Sequence, residues 1–291
     1  MLKDGSTELL RACMFDDAWL VGACIAFNKD EINTPNKSGW TPLHMACRSA
    51  HVDVVNLLLE SGAESSLYHK DNYGDIPIND AISSGRVDMV ELLLSYYNKD
   101  KKMALEKLGR AFRTAAQKQE LEIVKLFLIS FGTDIIHSRD SVNGRTALHE
   151  SCEESDEIEV MKYLLELGAK VNAVGTNGCT PLFYAVTYRH LEQAKVLLAA
   201  GAAVNHTDTD GISPLDMALD RLDTSKTRYN IIKVLLAAGA ALNNRGADGR
   251  TAMDMALTMV YTNPDRCKVI KILKAAGGLR SDQLPNDKDK I

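Results

Sequence analysis

The chain has 291 residues, 45% of them hydrophobic and 25% charged, with a formal net charge of −5. That is the balance of an ordered soluble protein. The acidic excess argues against a nucleic-acid footprint, and no apolar run reaches the roughly 18 residues that would cross a bilayer. The opening MLKDGSTELLRACMFDD carries acids where a signal peptide has an apolar stretch. The expected place of work is therefore the cytoplasm, with the nucleus, or a host cytosol for a secreted effector, as alternatives.

In chain order, TELLRACMFDDAWLVGACIAFNKDEIN reads as a degenerate helix pair, a cap over residues 1–35. The phrase that organises the rest appears at Gly39 as GWTPLHMACRSAHVDVVNLLLESGAE. It returns at Gly144 as GRTALHESCEESDEIEVMKYLLELGAKVN and at Gly178 as GCTPLFYAVTYRHLEQAKVLLAAGAAVN. Two further copies start at Gly211 and Gly249. Gly39 to Gly74 is 35 residues, Gly144 to Gly178 is 34 and Gly178 to Gly211 is 33. A period of this size marks a stacked repeat protein, in which each unit packs on its neighbours and no single core has to serve the whole length.

Within the first full repeat the chemistry is local. Gly39 supplies the positive φ of a tip, Thr41 caps a helix, and Pro42 stands at its first position, where no amide is missed. That helix buries Leu43, Ala46 and Cys47 and runs to about Ser49. A turn at Ala50–His51 leads to a second helix with Val54, Val55, Leu57 and Leu58 at helical spacing, ended by Gly62. The charged NKDKKMALEK at 98–107 lacks the tip signal and predicts a longer loop or an extra helical turn. The repeats at Gly211 and Gly249 each carry five additional residues between their helices, which predicts adjacent longer loops at Leu222–Tyr229 and Tyr261–Arg266. Cys13, Cys47 and Cys152 share one small-residue position of the repeat. They read as reduced packing thiols, since stacked helices lie about 10 Å apart, too far for a disulfide.

The Thr-Pro-Leu-His, paired-small, Leu-Leu and Gly-Ala-x-x-Asn words resemble the ankyrin repeat, and six repeats carry several of them in register. The resemblance implies an all-α solenoid of about eight stacked helix pairs joined by β-hairpin-like loops. It forms one domain over 1–279: the cap, then 36–68, 69–97, 108–136, 139–172, 173–205, 206–243 and 244–279, with a polar tail at 280–291 that frays. It implies a monomeric, non-catalytic protein-interaction module with no cofactor, no bound metal and no nucleic-acid or membrane partner. Its concave surface of tips and first helices would meet one or more proteins. The side chains expected there are Trp40, Arg48, Tyr73, Asp75, Arg145, Tyr188, Ile212, Arg221, Arg228 and Arg250, aromatic residues and arginine being the usual interface anchors. The resemblance further implies that Asn172, Asn205 and Asn243, each eight residues after a leucine, match asparagines that an intracellular asparaginyl hydroxylase modifies. Against this stands a plain hydrogen-bonding role in the hairpin.

Other residues invite catalytic readings and do not sustain them. His44 and His149 sit in the Thr-x-Leu-His word, where the family uses histidine to bond neighbouring turns, and Phe183, Asp216 and Asp254 replace them elsewhere. Glu150, Glu153, Glu154, Asp156, Glu157 and Glu159 crowd one repeat. The preceding repeat offers Arg113 and Lys118 at stacking positions, Lys118 aligning with Glu154, so ion pairs between repeats and a solvated face account for the cluster.

Overall fold

The computed structural model describes residues 5–97, 101–220, 226–246, 248–258 and 266–284, without the side chains of 101–106 and 266. Among the described residues all regular structure is helical. Contacts divide the chain into two compact units, Met1–Ser138 and Arg139–Ile291, at the junction between the predicted repeats 108–136 and 139–172.

Among the described residues the first unit holds four helix pairs: α1 (Glu8–Ala12) with α2 (Ala18–Phe27), α3 (Pro42–Arg48) with α4 (Val52–Glu60), α5 (Pro77–Ser83) with α6 (Val87–Tyr97), and α7 (Lys101–Gln117) with α8 (Leu121–Phe131). First helices pack in the order α1, α3, α5, α7, and second helices in the order α2, α4, α6, α8. The second unit repeats the plan with α9 (Ala147–Glu150) and α10 (Glu159–Glu166), α11 (Pro181–Tyr188) and α12 (Leu191–Ala199), α13 (Pro214–Asp220) and α14 (Lys226–Ala237), and α15 (Ala252–Thr258) and α16 (Arg266–Ala275). There α9, α11, α13 and α15 pack in sequence, as do α12, α14 and α16.

Local signals explain these boundaries. Thr41 caps α3 and Pro42 opens it, while Gly39 (φ +81°) and Gly62 (φ +114°) take the left-handed conformations the tip and the helix end require. Ala46 and Cys47 are fully buried, so α3 and α5 approach closely. The charged stretch at 101–107 does become helix, as the start of the 17-residue α7. Two details differ from expectation. Leu57 is half-buried and Leu59 takes the core position beside Leu58. The chain at Leu279–Gln283 is tied down: Leu279 O accepts from Thr251 Oγ1 (2.7 Å), Ser281 N donates to Asp254 Oδ2 (2.8 Å), and Ser281 O accepts from Arg245 Nη2 (3.0 Å).

The predicted long loops are only partly visible, since 221–225 and 259–265, including Arg221, lie outside the described residues. What is described shows that Lys226–Tyr229 belong to α14. Arg228, expected as a partner contact, is 1% exposed, and its Nη1 donates to Met217 O and Ala218 O (both 3.2 Å). Its guanidinium satisfies carbonyls near the end of α13 that the helix cannot satisfy itself.

The repeat asparagines act as staples between repeats, a reach longer than the hairpin bond expected of them. Asn172 Nδ2 donates to Gly201 O (3.1 Å) and its Oδ1 accepts from Ala203 N (2.7 Å). Asn205 does the same with Gly239 O (3.1 Å) and Ala241 N (2.7 Å), and Asn243 with Gly277 O (3.2 Å) and Leu279 N (2.8 Å). Each amide thus serves one acceptor and one donor at the end of the next repeat's second helix. Asn205→Ala is expected to lower stability by about 1–2 kcal/mol, two neutral bonds at an exposed position. Urea denaturation measures this, and an Asn205→Asp variant, which keeps the acceptor and loses the donor, should fall between the two.

Candidate protein-binding site

In the first unit, four of the residues expected at the interface converge. An open cavity of about 480 Å³ is lined by Trp40, Arg48, Asp71, Tyr73, Asp75, Asp80, Ser83 and Ser84. Two successive tips and the ends of α3 and α5 build it. Each tip is an Asx turn: Asn36 Oδ1 accepts from Ser38 N (2.9 Å) and Trp40 N (3.0 Å), and Asp71 Oδ1 accepts from Tyr73 N and Asp75 N (both 2.9 Å). The tips are joined by Asn72 N donating to Ser38 O (3.0 Å), and Gly39 leaves no room for a Cβ, which would lie 2.8 Å from Asp71 Cα.

That scaffold fixes the side chains. Trp40 Nε1 donates to Asp71 Oδ2 (3.0 Å), and the Arg48 guanidinium lies 4.6 Å from the Trp40 ring centroid. Asp75 pairs with Arg110 at 2.8 Å. Tyr73 is 72% exposed, a large aromatic left in solvent at the rim. Burial pushes the Asp80 carboxyl up to about 7; Arg48 pulls it back, and the charges of Asp71 and Asp75 add to the rise. Asp71, Asp80 and Arg110 were not singled out in the sequence. Asp71 was findable, because Asn36, Asp71, Asp140 and Asp208 hold the same tip position. Asp80 was not, since only packing puts it beside two other acids.

The remaining interface residues lie in the second unit and do not form one site. Arg145 is committed internally: it bridges Glu150 (2.9 Å) and Glu153 (2.8 Å), stacks 4.5 Å from the Tyr184 ring, and is 12% exposed in its side chain. It therefore leaves the set of exposed anchors. Tyr188 is partly exposed and donates to Glu153 Oε1 at 3.0 Å. Ile212 and Arg250 line a second cavity of about 270 Å³ with Met217, Asp220 and Met255, and Arg250 pairs with Asp248 at 2.6 Å. The acid cluster is explained partly within its own repeat through Arg145 and partly by Asp156, whose carboxylate accepts from the amides of Glu192 and Gln193 at the start of α12.

The histidines are structural. In His149, Nδ1 accepts from Thr146 N (3.1 Å), so the ring proton sits on Nε2 and is donated to Cys179 O (3.2 Å); His44 repeats this with Thr41 and Asp75 O. Burial lowers both rings to about 4, with Arg145 and Arg139 helping to lower His149. Because the folded value lies below the ordinary 6.5, the neutral ring's contribution is complete above pH 6.5 and is lost as pH falls toward 4. His149→Asn, which borrows the group that Asn79 uses at the equivalent cap, removes this titration. Between pH 7 and 4.5 the parent should lose on the order of 2 kcal/mol relative to that variant. Parallel urea titrations measure it, and a constant difference across pH would refute the neutral buried ring. Among the described residues no three His, Cys, Asp or Glu side chains are placed to hold a metal ion. Cys13, Cys47 and Cys152 are fully buried, and burial holds their thiols well above the ordinary range.

A family model described as ankyrin repeats (3 copies) matches residues 9–103 and 112–210. The BCL-6 corepressor-like protein 1 of Homo sapiens is 34% identical over 92 residues, 32% of this chain and 5% of that protein. The ankyrin repeat and KH domain-containing protein mask-1 of Caenorhabditis elegans is 29% identical over 193 residues, 65% of this chain and 7% of that protein. The nuclear factor NF-kappa-B p105 subunit of Gallus gallus is 32% identical over 157 residues, 53% of this chain and 16% of that protein. The chain thus spans a small fraction of the length of these relatives.

Proposed function

We propose that this chain, which belongs to the ankyrin-repeat family, is a non-catalytic adaptor or inhibitor that binds a partner protein through the Trp40–Tyr73 cavity. Ankyrin repeats generally mediate protein–protein interaction; the adaptor or inhibitor role, the cytoplasmic setting and the monomeric state are our reading. The observation that carries it is the rigid placement of Trp40 and Arg48 beside an exposed Tyr73 at the mouth of an open cavity. Rigid aromatics that lose little entropy on contact make strong anchors. Arg228 and Arg145 are not anchors, because the fold uses both for itself.

The test is a set of Tyr73→Ala, Trp40→Ala and Tyr188→Ala variants, each shown by thermal melting to be folded, titrated against a partner obtained by pull-down. Tyr73→Ala or Trp40→Ala should weaken binding by about 2 kcal/mol, roughly thirtyfold. Parent-like affinity in all three, with loss on substituting exposed residues of the second helices, would overturn the assignment. A second reading has one observation in its favour: Asn172, Asn205 and Asn243 are solvent-exposed. A hydroxylase substrate would show one added oxygen at one of them by peptide mass spectrometry. Both ends of each amide are already bonded, which favours the stapling role.

A further inference from the structure

The helix α2 is built unlike its counterparts. Its sequence AWLVGACIAF is apolar on every side, a pattern that belongs to a helix covered all round. Yet only Val21 and Ile25 are buried, on the side where Gly22 faces Leu57 of α4. On the opposite side Trp19 is 80% and Phe27 94% exposed, with Leu20 beside them and Met14 and Phe15 exposed in the preceding turn. Trp19, Leu20, Ala23, Ala26 and Phe27 span about 120° of the helix at 100° per residue, centred away from the buried side.

The register of the repeats sets the Trp19 and Phe27 positions of α2 apart from the other second helices, of which α8 exposes Ile129 alone on this side. Trp19 directly precedes the Leu20–Val21 pair, as Asp53, Asp88, Glu122 and Glu192 directly precede the equivalent pairs on α4, α6, α8 and α12. Those acids sit in the first turn, where they complement the helix dipole, and α2 has none. Phe27 likewise stands where α4 is followed by Ser61. Where the register places Asp53 and Ser61 on the next pair, this pair presents a tryptophan and a phenylalanine.

The surroundings select the occupant. Glu8 and Glu31 lie close enough to Cys24 of α2 to help raise its thiol, and Asp17 caps the start of the helix beside Leu20, so carboxylates border the face. Two copies of the chain would bring two acidic frames together, whereas a helix with an apolar stripe and basic flanks meets both features. We propose that the outward face of α2 is a second docking surface, separate from the Trp40–Tyr73 cavity, for a basic amphipathic helix of a partner protein.

The chain has two tryptophans, so indole N–H signals in ¹H–¹⁵N NMR report the two surfaces separately. The probe is a synthetic peptide of about 18 residues with leucines at helical spacing and lysines on the other face. It should shift or broaden the Trp19 indole and leave Trp40 unchanged; a twin with glutamate for lysine should bind at least about tenfold more weakly. The control is a Trp19→Asp/Phe27→Ser double variant, which carries the residues found at Asp53 and Ser61; thermal melting checks its fold, and its binding is read from the backbone amides of Ala23 and Ala26, since the Trp19 indole is gone. The variant also adds a negative charge, so unspecific attraction would strengthen, while the proposal requires binding to be lost. The proposal is overturned if the peptide perturbs only Trp40, if the glutamate twin binds equally, or if the double variant binds as the parent does. It is also overturned if Trp19 responds to protein concentration alone, which marks a second copy, or to phosphatidylserine vesicles and not to peptide, which marks a lipid surface.

Discussion

Leu197→Ala is expected to cost about 2–5 kcal/mol, because Leu197 is fully buried and its loss leaves a cavity that stacked helices cannot close. It lies on α12, which packs on both α11 and α14, so the void opens at a junction of two repeats. In a repeat protein that damage falls mainly on the adjoining repeats and can separate their unfolding from the rest. Leu57→Ala supplies the contrast. Helical spacing groups Leu57 with Val54, Val55 and Leu58, but it is half-buried and its loss should cost less than about 1.5 kcal/mol. Chemical denaturation of both variants measures the difference, and equal midpoints would show the burial pattern of the second helices to be wrong.

Gly178→Ala is expected to cost about 3 kcal/mol, and Gly249→Ala only about 1. Both glycines have left-handed backbones, φ +79° and +75°, so both variants lose the conformational preference that only glycine escapes. They differ in surroundings. A Cβ on Gly178 would lie 2.6 Å from Thr209 N and 2.8 Å from the Asp208 carbonyl carbon, both backbone atoms of the next tip, while one on Gly249 would meet nothing within 4 Å among the described residues. Overlap with backbone forces the two tips apart and strains the Thr209 N to Asn177 O bond (3.1 Å), adding about 1–3 kcal/mol. Urea midpoints of the two variants separate conformational strain from steric exclusion; equal losses would remove the close approach of the tips as a structural constraint.

The sequence alone determined the repeat register, the eight helix pairs, the Thr41 cap with Pro42, and the left-handed glycines at Gly39 and Gly62. These are settled within a few residues by φ preference, amide satisfaction and helical spacing, and the period repeats each signal until it is unmistakable. It also placed Trp40, Arg48, Tyr73 and Asp75 on one surface, because the positions of tips and first-helix ends follow from the register. Tertiary structure alone decided where long polar side chains go. Arg228 and Arg145 read as exposed interface arginines, but a flexible chain with several donors reaches whichever acceptors packing offers, here the Met217 and Ala218 carbonyls and the Glu150–Glu153 pair. The same holds for Asn172, Asn205 and Asn243, whose partners lie some thirty residues onward, and for Asp80, whose carboxyl is perturbed by neighbours brought in by folding. The exposure of Trp19 and Phe27 was likewise undecided by an apolar sequence, because which side of α2 meets α4 is fixed only when the two helices pack.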